Sequence, residues 1–239
     1  MYRIALGKRN LRAVFQNPDD QQALVTIGAI NSEKSVLIRG SGVNLSQYQF
    51  LAEDSSLPVV TFAARLLRDK GVVEFVEAAR LLTMRGVQAR FQLVGDPDPG
   101  NPTSISVNDI ARWQKEGIVE CLGYRPDMET VFRHSHIVVL PSYREGLPKV
   151  LIEAAACGRA VVTTDVPGCR DAVAPGESGL IVPVRNALAL ADAIQRLVDD
   201  SELRRSMGAA GRALAEREFA IESVVAQHLE IYRTLESNA

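Results

Sequence analysis

Short apolar runs rich in β-branched residues alternate along this chain with longer stretches whose apolar residues return every three or four positions. Residues 59–63, 91–94, 118–122, 137–140 and 160–164 read as strands. Between them the helical period takes over. Gly71 opens a helix with Val72, Phe75, Val76, Ala79 and Leu82 on one face, closing at Gly86. A Pro-rich loop after Gly95-Asp96 leads into a helix through Ile110 and Trp113, and Asp127 caps another running to about Arg133. Pro148 starts a helix that ends at Gly158, with Pro just inside the start and Gly at the finish. From Ala187 the pattern is helical throughout. Leu188, Ala191, Ile194 and Leu197 share a face, and further helices are predicted over 203–217 and 222–235.

Strands that are nearly continuous in apolar residues and alternate with helices imply a parallel sheet covered on both faces. The predicted fold class is α/β, a Rossmann-like doubly wound parallel sheet with C-terminal helices. Ligands of such sheets bind outside the carboxyl ends of the strands. The candidate site loops are therefore 65–70, Asp96, 123–125, 142–149 and 165–169. The first fifty residues differ. Asn17-Pro18-Asp19-Asp20 is a turn and helix start, 36–38 is one short strand, and Gly40-Ser41-Gly42 reads as a flexible joint. That stretch is too short to build a core. Residues 1–40 are expected to be the tail of a preceding domain plus a linker, and 41–239 the main domain.

Composition narrows the partners. The chain has 239 residues, 46% hydrophobic and 23% charged, with a net charge of −2, which makes no electrostatic case for nucleic acid. A basic cluster at Arg3, Lys8, Arg9 and Arg12 reads as a solvated face. Cys121, Cys157 and Cys169 form no CxxC pair, as expected of buried, inert thiols in a reducing cytosol. No apolar run approaches membrane-spanning length, and the first residues lack a signal-peptide core. Peripheral attachment to a membrane is left open.

The chemistry concentrates in two places. Arg65 and Lys70 lie between a strand end and a helix start, where helix N–H groups favour phosphate. An Arg fork and a Lys point charge suit a diphosphate; a solvated basic loop is the other reading of the same residues. The second place is Pro141 to Glu153. Glu145 sits in a Gly/Pro-containing loop and Glu153 inside an apolar helix, with seven residues between them. An apolar helix has no structural need for that carboxylate. Six residues of helix rise about 9 Å, so the two carboxylates reach the upper end of a glycosidase pair's separation, about 5–9.5 Å, only if the loop folds back. The favoured arrangement holds two ends of one elongated ligand, carboxylates accepting hydrogen bonds from vicinal hydroxyls. Gly146-Leu147-Pro148 frees backbone N–H groups between them. Asp96-Pro97-Asp98 looks superficially like a metal-binding D-x-D, but other hard ligands are lacking and no metal is expected. His134 and His136 read as helix-end and strand-start residues rather than zinc ligands.

Together these residues resemble the retaining family 4 glycosyltransferases of the GT-B fold. The match runs from about Ser35 to the C-terminus. Its most specific part is Glu145-Gly146-Leu147-Pro148 through Glu153, followed by Ala154-Ala155-Ala156-Cys157-Gly158 and Val161-Val162-Thr163-Thr164-Asp165. Arg65…Lys70-Gly71 is the second motif, with Ala64 where a Gly is usual; Pro167 to Asp171 and Gly176 to Leu180 also resemble family segments. The resemblance implies a C-terminal donor domain that binds a nucleoside-diphosphate sugar. Arg65 and Lys70 would neutralise the diphosphate, with no metal or other cofactor required. Glu153 would bind the ribose and Glu145 the donor sugar. Gly146, Leu147 and Lys149 would offer backbone N–H groups, Tyr124 and Arg125 would flank the base, and Gly42, Tyr143 and Pro148 are counted among the substrate-binding positions. It further implies transfer of a hexose or N-acetylhexosamine, with retention, from a donor such as a UDP-sugar. The acceptor would be a glycan or lipid-linked sugar of lipopolysaccharide, O-antigen or capsule, bound by an N-terminal domain. Residues before about Gly40 look like the last helix and strand of that domain, so this chain alone is expected to be inactive in transfer. The expected location is the cytoplasm, with a peripheral place at the inner membrane face left open. Two alternatives stand beside this reading: a sugar-nucleotide epimerase of related two-domain fold, and a non-catalytic nucleotide-sugar-binding module.

Overall fold

The computed structural model of the protein describes residue 6 and residues 10–237. Arg3, Lys8 and Arg9 of the basic cluster lie outside the described residues, and Arg12 donates to the carbonyl of Leu11. Six parallel strands form the main sheet: β3 (Val59–Ala63), β4 (Arg90–Val94), β5 (Glu120–Gly123), β6 (Ile137–Leu140), β7 (Ala160–Thr164) and β8 (Gly179–Val182). Their order is β5-β4-β3-β6-β7-β8, the arrangement of a doubly wound dinucleotide fold. The strand alternation and the α/β class expected from the pattern are what the structure has. The strand β8 was not among the predicted ones, because Gly179-Leu180-Ile181-Val182 is short and its first residue is a weak strand former.

Helices cover both faces: α2 (Val72–Met84), α3 (Val107–Glu116), α4 (Met128–His134), α5 (Lys149–Ala156), α6 (Ala187–Asp199) and α7 (Ser201–Leu214). The helix α2 buries the predicted stripe of Val72, Phe75, Val76, Ala79 and Leu82, with Ala78 beside it. Its Phe75 meets Phe62 of β3 with ring centroids 5.6 Å apart. The helix α5 buries Leu151, Ile152 and Ala154 to Ala156 together with Glu153. Past α7 a π-helical turn (Ala215–Phe219) leads into the last helix, Ile221–Ser237. Cys157 and Cys169 are buried and unpaired, and burial pushes their thiols up to about 12 and about 11, as expected of inert thiols; Cys121, expected to be buried with them, is half-buried.

Ahead of the sheet, β1 (Ala13–Phe15) pairs parallel with β2 (Ser35–Leu37), and α1 (Pro18–Thr26) connects them. The stretch Gly40-Ser41-Gly42 was expected to be a flexible joint, and the structure differs. Both glycines are left-handed and closely packed. A Cβ on Gly40 would lie 2.7 Å from Leu147, and one on Gly42 2.8 Å from the Cα of Ile221. The next residue is tied on both sides, Val43 N to Phe219 O at 2.8 Å and Ile221 N to Val43 O at 3.0 Å. Positive φ and close approach require these glycines; slack does not.

The helix α7 lies so close to the end of α5 and the turn after it that a Cβ on Gly208 would sit 2.1 Å from the carbonyl oxygen of Gly158, whereas one on Gly211 would make ordinary contacts at 3.5 Å with Ala155. Helix propensity favours Ala over Gly at both by about 1 kcal/mol. Packing reverses the sign at one of them: Gly208→Ala should destabilise by about 1–3 kcal/mol, and Gly211→Ala should be neutral or stabilising. Urea unfolding midpoints of the two variants check this.

Candidate functional site

The strand order reverses between β3 and β6, and ligands of open α/β sheets bind at that reversal. The loops leaving these two strand ends carry Arg65 to Lys70 and Ser142 to Lys149. Several contacts seat the first loop. Gly95 comes so close that a Cβ there would lie 1.9 Å from the carbonyl oxygen of Ala64. Leu66 N donates to Asp96 O at 2.9 Å and Arg68 N to Thr103 O at 2.8 Å. The loop ends in a 3₁₀ turn, Arg68–Lys70, and in the left-handed Gly71 that opens α2. Gly71 is pressed against the second loop: a Cβ would meet Pro141 O at 2.2 Å. Beside it Tyr143 N donates to Asp69 O at 2.9 Å, so the two loops share a backbone seam.

The second loop is held from three sides. The carbonyl of Ser142 accepts from Thr164 Oγ1. A Cβ on Gly168 would stand 2.4 Å from Gly146 O. From the N-terminal segment, Asn17 Nδ2 donates to Gly146 O at 2.7 Å, while Arg144 pairs with Asp20 at 3.0 Å. Glu145 is thereby turned inward. Its Oε1 accepts from Lys70 Nζ at 2.5 Å and from Ser142 Oγ at 2.7 Å.

A two-lobed crevice opens over this seam. The larger lobe, about 420 Å³, is walled by Arg65, Asp98, Tyr124, Arg125, Met128 and Val150 among others. The smaller, about 230 Å³, is walled by Lys70, Glu145, Pro148 and Lys149. Ala63, Ala64, Arg65 and Val150 line both, so the lobes adjoin across a shared wall. The larger falls in the size range of small-molecule sites, about 300–1,000 Å³. The first residue of α5, Lys149, stands at the smaller lobe, which brings helix N-terminal N–H groups to its wall.

The crevice thus gathers Arg65, Lys70, Tyr124, Arg125, Glu145, Pro148 and Lys149 from three loops. Other expected positions go elsewhere. Gly42 packs on Ile221, away from the crevice. Tyr143 turns back to α2: its hydroxyl donates to Glu74 at 2.6 Å, the Arg185 guanidinium stands 4.6 Å over its ring, and burial with Glu74 pushes its hydroxyl up to about 12. The Leu147 side chain is buried against Gly40, and the Gly146 carbonyl is held by Asn17; the backbone N–H groups expected to serve the ligand are separate from both contacts.

Glu153 lies one helical turn beyond Val150, itself a wall of both lobes. It is 5% exposed, inside the helix packing rather than on its solvated side. Burial pushes its carboxyl above the ordinary range; a Tyr48 hydrogen bond and Lys149, 3.3 Å away, oppose this. Asn17 and Asp98 have roles at the site that sequence reasoning missed. Asn17 was legible as a helix cap, and its amide does cap α1 through Asp20 N at 2.8 Å, but its hold on Gly146 spans 129 positions and no local pattern signals it. Asp98 was weighed only as a metal ligand; it pairs with Arg65 at 2.7 Å. His134 ends α4 with its ring on Thr130 O, and His136 accepts from Val59 N at the start of β6.

The family model for glycosyl transferases of group 1 matches residues 46–214. The chain is 32% identical over 233 residues to N,N'-diacetylbacillosaminyl-diphospho-undecaprenol alpha-1,3-N-acetylgalactosaminyltransferase of Campylobacter jejuni, covering 92% of this chain and 59% of that enzyme. It is 28% identical to the capsular polysaccharide biosynthesis glycosyltransferase CapM of Staphylococcus aureus, covering 74% of this chain and 46% of the relative. Sucrose-phosphate synthase of Thermosynechococcus elongatus superposes with a TM-score of 0.85 at 27% identity, covering 99% of this chain and 61% of that one. The chain spans about half the length of the curated relatives it matches.

A buried carboxyl whose pKa is raised binds its proton more tightly folded than unfolded, so its ionisation costs stability as pH rises above the unfolded value near 4.3. Glu153→Gln should therefore melt higher than the parent at pH 7, and the gap should close toward pH 4. Thermal melts across that range check the sign; a variant that melts lower at pH 7 would show that Lys149 and Tyr48 outweigh desolvation.

Proposed function

The chain belongs to the glycosyl transferases of group 1, and on that premise we propose that it is the donor-binding, C-terminal half of a GT-B enzyme that transfers a sugar from a nucleoside diphosphate. The convergence of Arg65 and Lys70 with Glu145 and Lys149 around one crevice at the strand-order reversal carries this reading. The larger lobe, flanked by Tyr124 and Arg125, takes the nucleoside, and UDP is the preferred donor nucleotide. Glu153 holds the ribose, and the diphosphate lies between Arg65 and Lys70. Glu145, fixed by Ser142, meets the donor sugar.

In the transfer the bond from the sugar's anomeric carbon to the diphosphate breaks, and the diphosphate leaves with the electron pair. Arg65 and Lys70 stabilise that developing charge, the part a metal plays in other transferases. The acceptor hydroxyl attacks from the face the leaving group vacates, which retains configuration, and its proton passes to a phosphate oxygen. The acceptor is bound by the other half of such enzymes, to which residues 1–40 are assigned. The Campylobacter relative is named for transfer of N-acetylgalactosamine to a sugar on diphospho-undecaprenol. An acceptor of that kind, a lipid-linked glycan of surface-polysaccharide synthesis, would place the work at the cytoplasmic face of the membrane. Among the described residues no helix is long and apolar enough to cross one.

Calorimetric titration with UDP and GDP tests the reading; failure of every nucleoside diphosphate to bind at millimolar concentration overturns it. Lys70→Ala should weaken UDP binding about tenfold or more, since a charge-assisted contact contributes about 1.5–3 kcal/mol. Glu153→Ala should weaken UDP and UDP-sugar alike, while Glu145→Ala should chiefly reduce the preference for UDP-sugar over UDP. Equal losses for both ligands in both variants would contradict that division of roles.

A further inference from the structure

Each of the four cations that line the crevice is already paired with a carboxylate: Arg65 with Asp98 at 2.7 Å, Lys70 with Glu145 at 2.5 Å, Lys149 with Glu153 at 3.3 Å, and Arg125 with Asp127 at 2.6 Å. A diphosphate entering this crevice must take its positive partners from carboxylates already in place. Three of those carboxylates are built in. Glu145 is also held by Ser142, Glu153 is buried within α5, and Asp127 sits at the start of α4, gripped bidentately by Arg125. Asp98 differs. It stands between Pro97 and Pro99, and its backbone is anchored by Ser104 Oγ at 2.9 Å and Asn101 N at 2.8 Å. Its carboxylate reaches across the mouth of the larger lobe to Arg65, whose side chain is 61% exposed. That is a solvent-screened pair of small net energy, the one a phosphate can displace at least cost.

We propose that Asp98 is a built-in counter-ion of the donor site: it holds Arg65 while the crevice is empty, is displaced by the donor's diphosphate, and takes Arg65 back as the nucleoside diphosphate product leaves. The proposal rests on the donor reading above. Its consequence is that the chain binds its own product less tightly than its cations allow, which limits product inhibition. The device acts on phosphate charge alone, so a nucleoside without phosphates should not feel it.

The test is calorimetric titration of the chain with UDP and with uridine, in the parent, Asp98→Asn, Asp98→Ala, Arg65→Met and the Asp98→Asn/Arg65→Met double variant, with circular dichroism to establish that each is folded. Both Asp98 variants should bind UDP about three- to tenfold more tightly, the combined effect of a lost competitor and a lost repulsion in a screened site. Uridine should be unaffected, and the gain should vanish in the Arg65→Met background. Unchanged or weaker UDP binding by both Asp98 variants, an equal gain for uridine, or a gain that persists without Arg65 would each overturn the counter-ion role. If the parent itself binds neither UDP nor GDP, the donor reading falls and takes this one with it; binding by the parent with no gain in the variants removes this one alone.

Discussion

Gly71 lies so close to the second site loop that a Cβ there would stand 2.2 Å from the carbonyl oxygen of Pro141. The rest of the site depends on that approach. It brings the loops of β3 and β6 into backbone contact where the strand order reverses, and the Tyr143 to Asp69 hydrogen bond closes the seam. With the backbones this near, the side chain of Lys70 meets Glu145 across 75 positions of sequence. Only glycine permits both the left-handed turn and the contact, so the local conformation that opens α2 and the long-range geometry of the crevice have one cause.

The crevice is charged and nearly self-neutralised. Its four cations each face a carboxylate, and the buried Glu153 carries a raised pKa in the middle of an otherwise apolar helix. A site organised for stability alone would replace that carboxylate with an aliphatic side chain, as the neighbouring Ile152 and Ala154 show. Retaining a charge there costs folding free energy and supplies a hydrogen-bond acceptor, the exchange found where function and stability compete.

Much of this was legible in the chain. The spacing of Glu145 and Glu153, the Pro148 start and Gly158 end of α5, and the placement of Arg65 and Lys70 at a strand end all appear in the structure where the pattern put them. Tyr143 illustrates the limit. Its place in the site loop was readable, yet its side chain faces Glu74 and Arg185 rather than the crevice. A loop residue has no periodicity from which to infer direction. Gly42 fails for a related reason: a glycine after a short strand suggests freedom, and only the approach of Ile221 shows that it is a packing contact.

By itself the sequence determined the α/β class, the succession of strands and helices, and which loops hold the charged residues, because hydrophobic period and capping chemistry act over a few residues. The tertiary structure alone decided the strand order, the pairing of Arg65 with Asp98 and of Lys70 with Glu145, the turn of Tyr143 away from the site, and the grip of Asn17 on Gly146. Each of those joins residues tens of positions apart, and such contacts follow from how strands are ordered and how closely glycines let backbones meet. No local pattern encodes them.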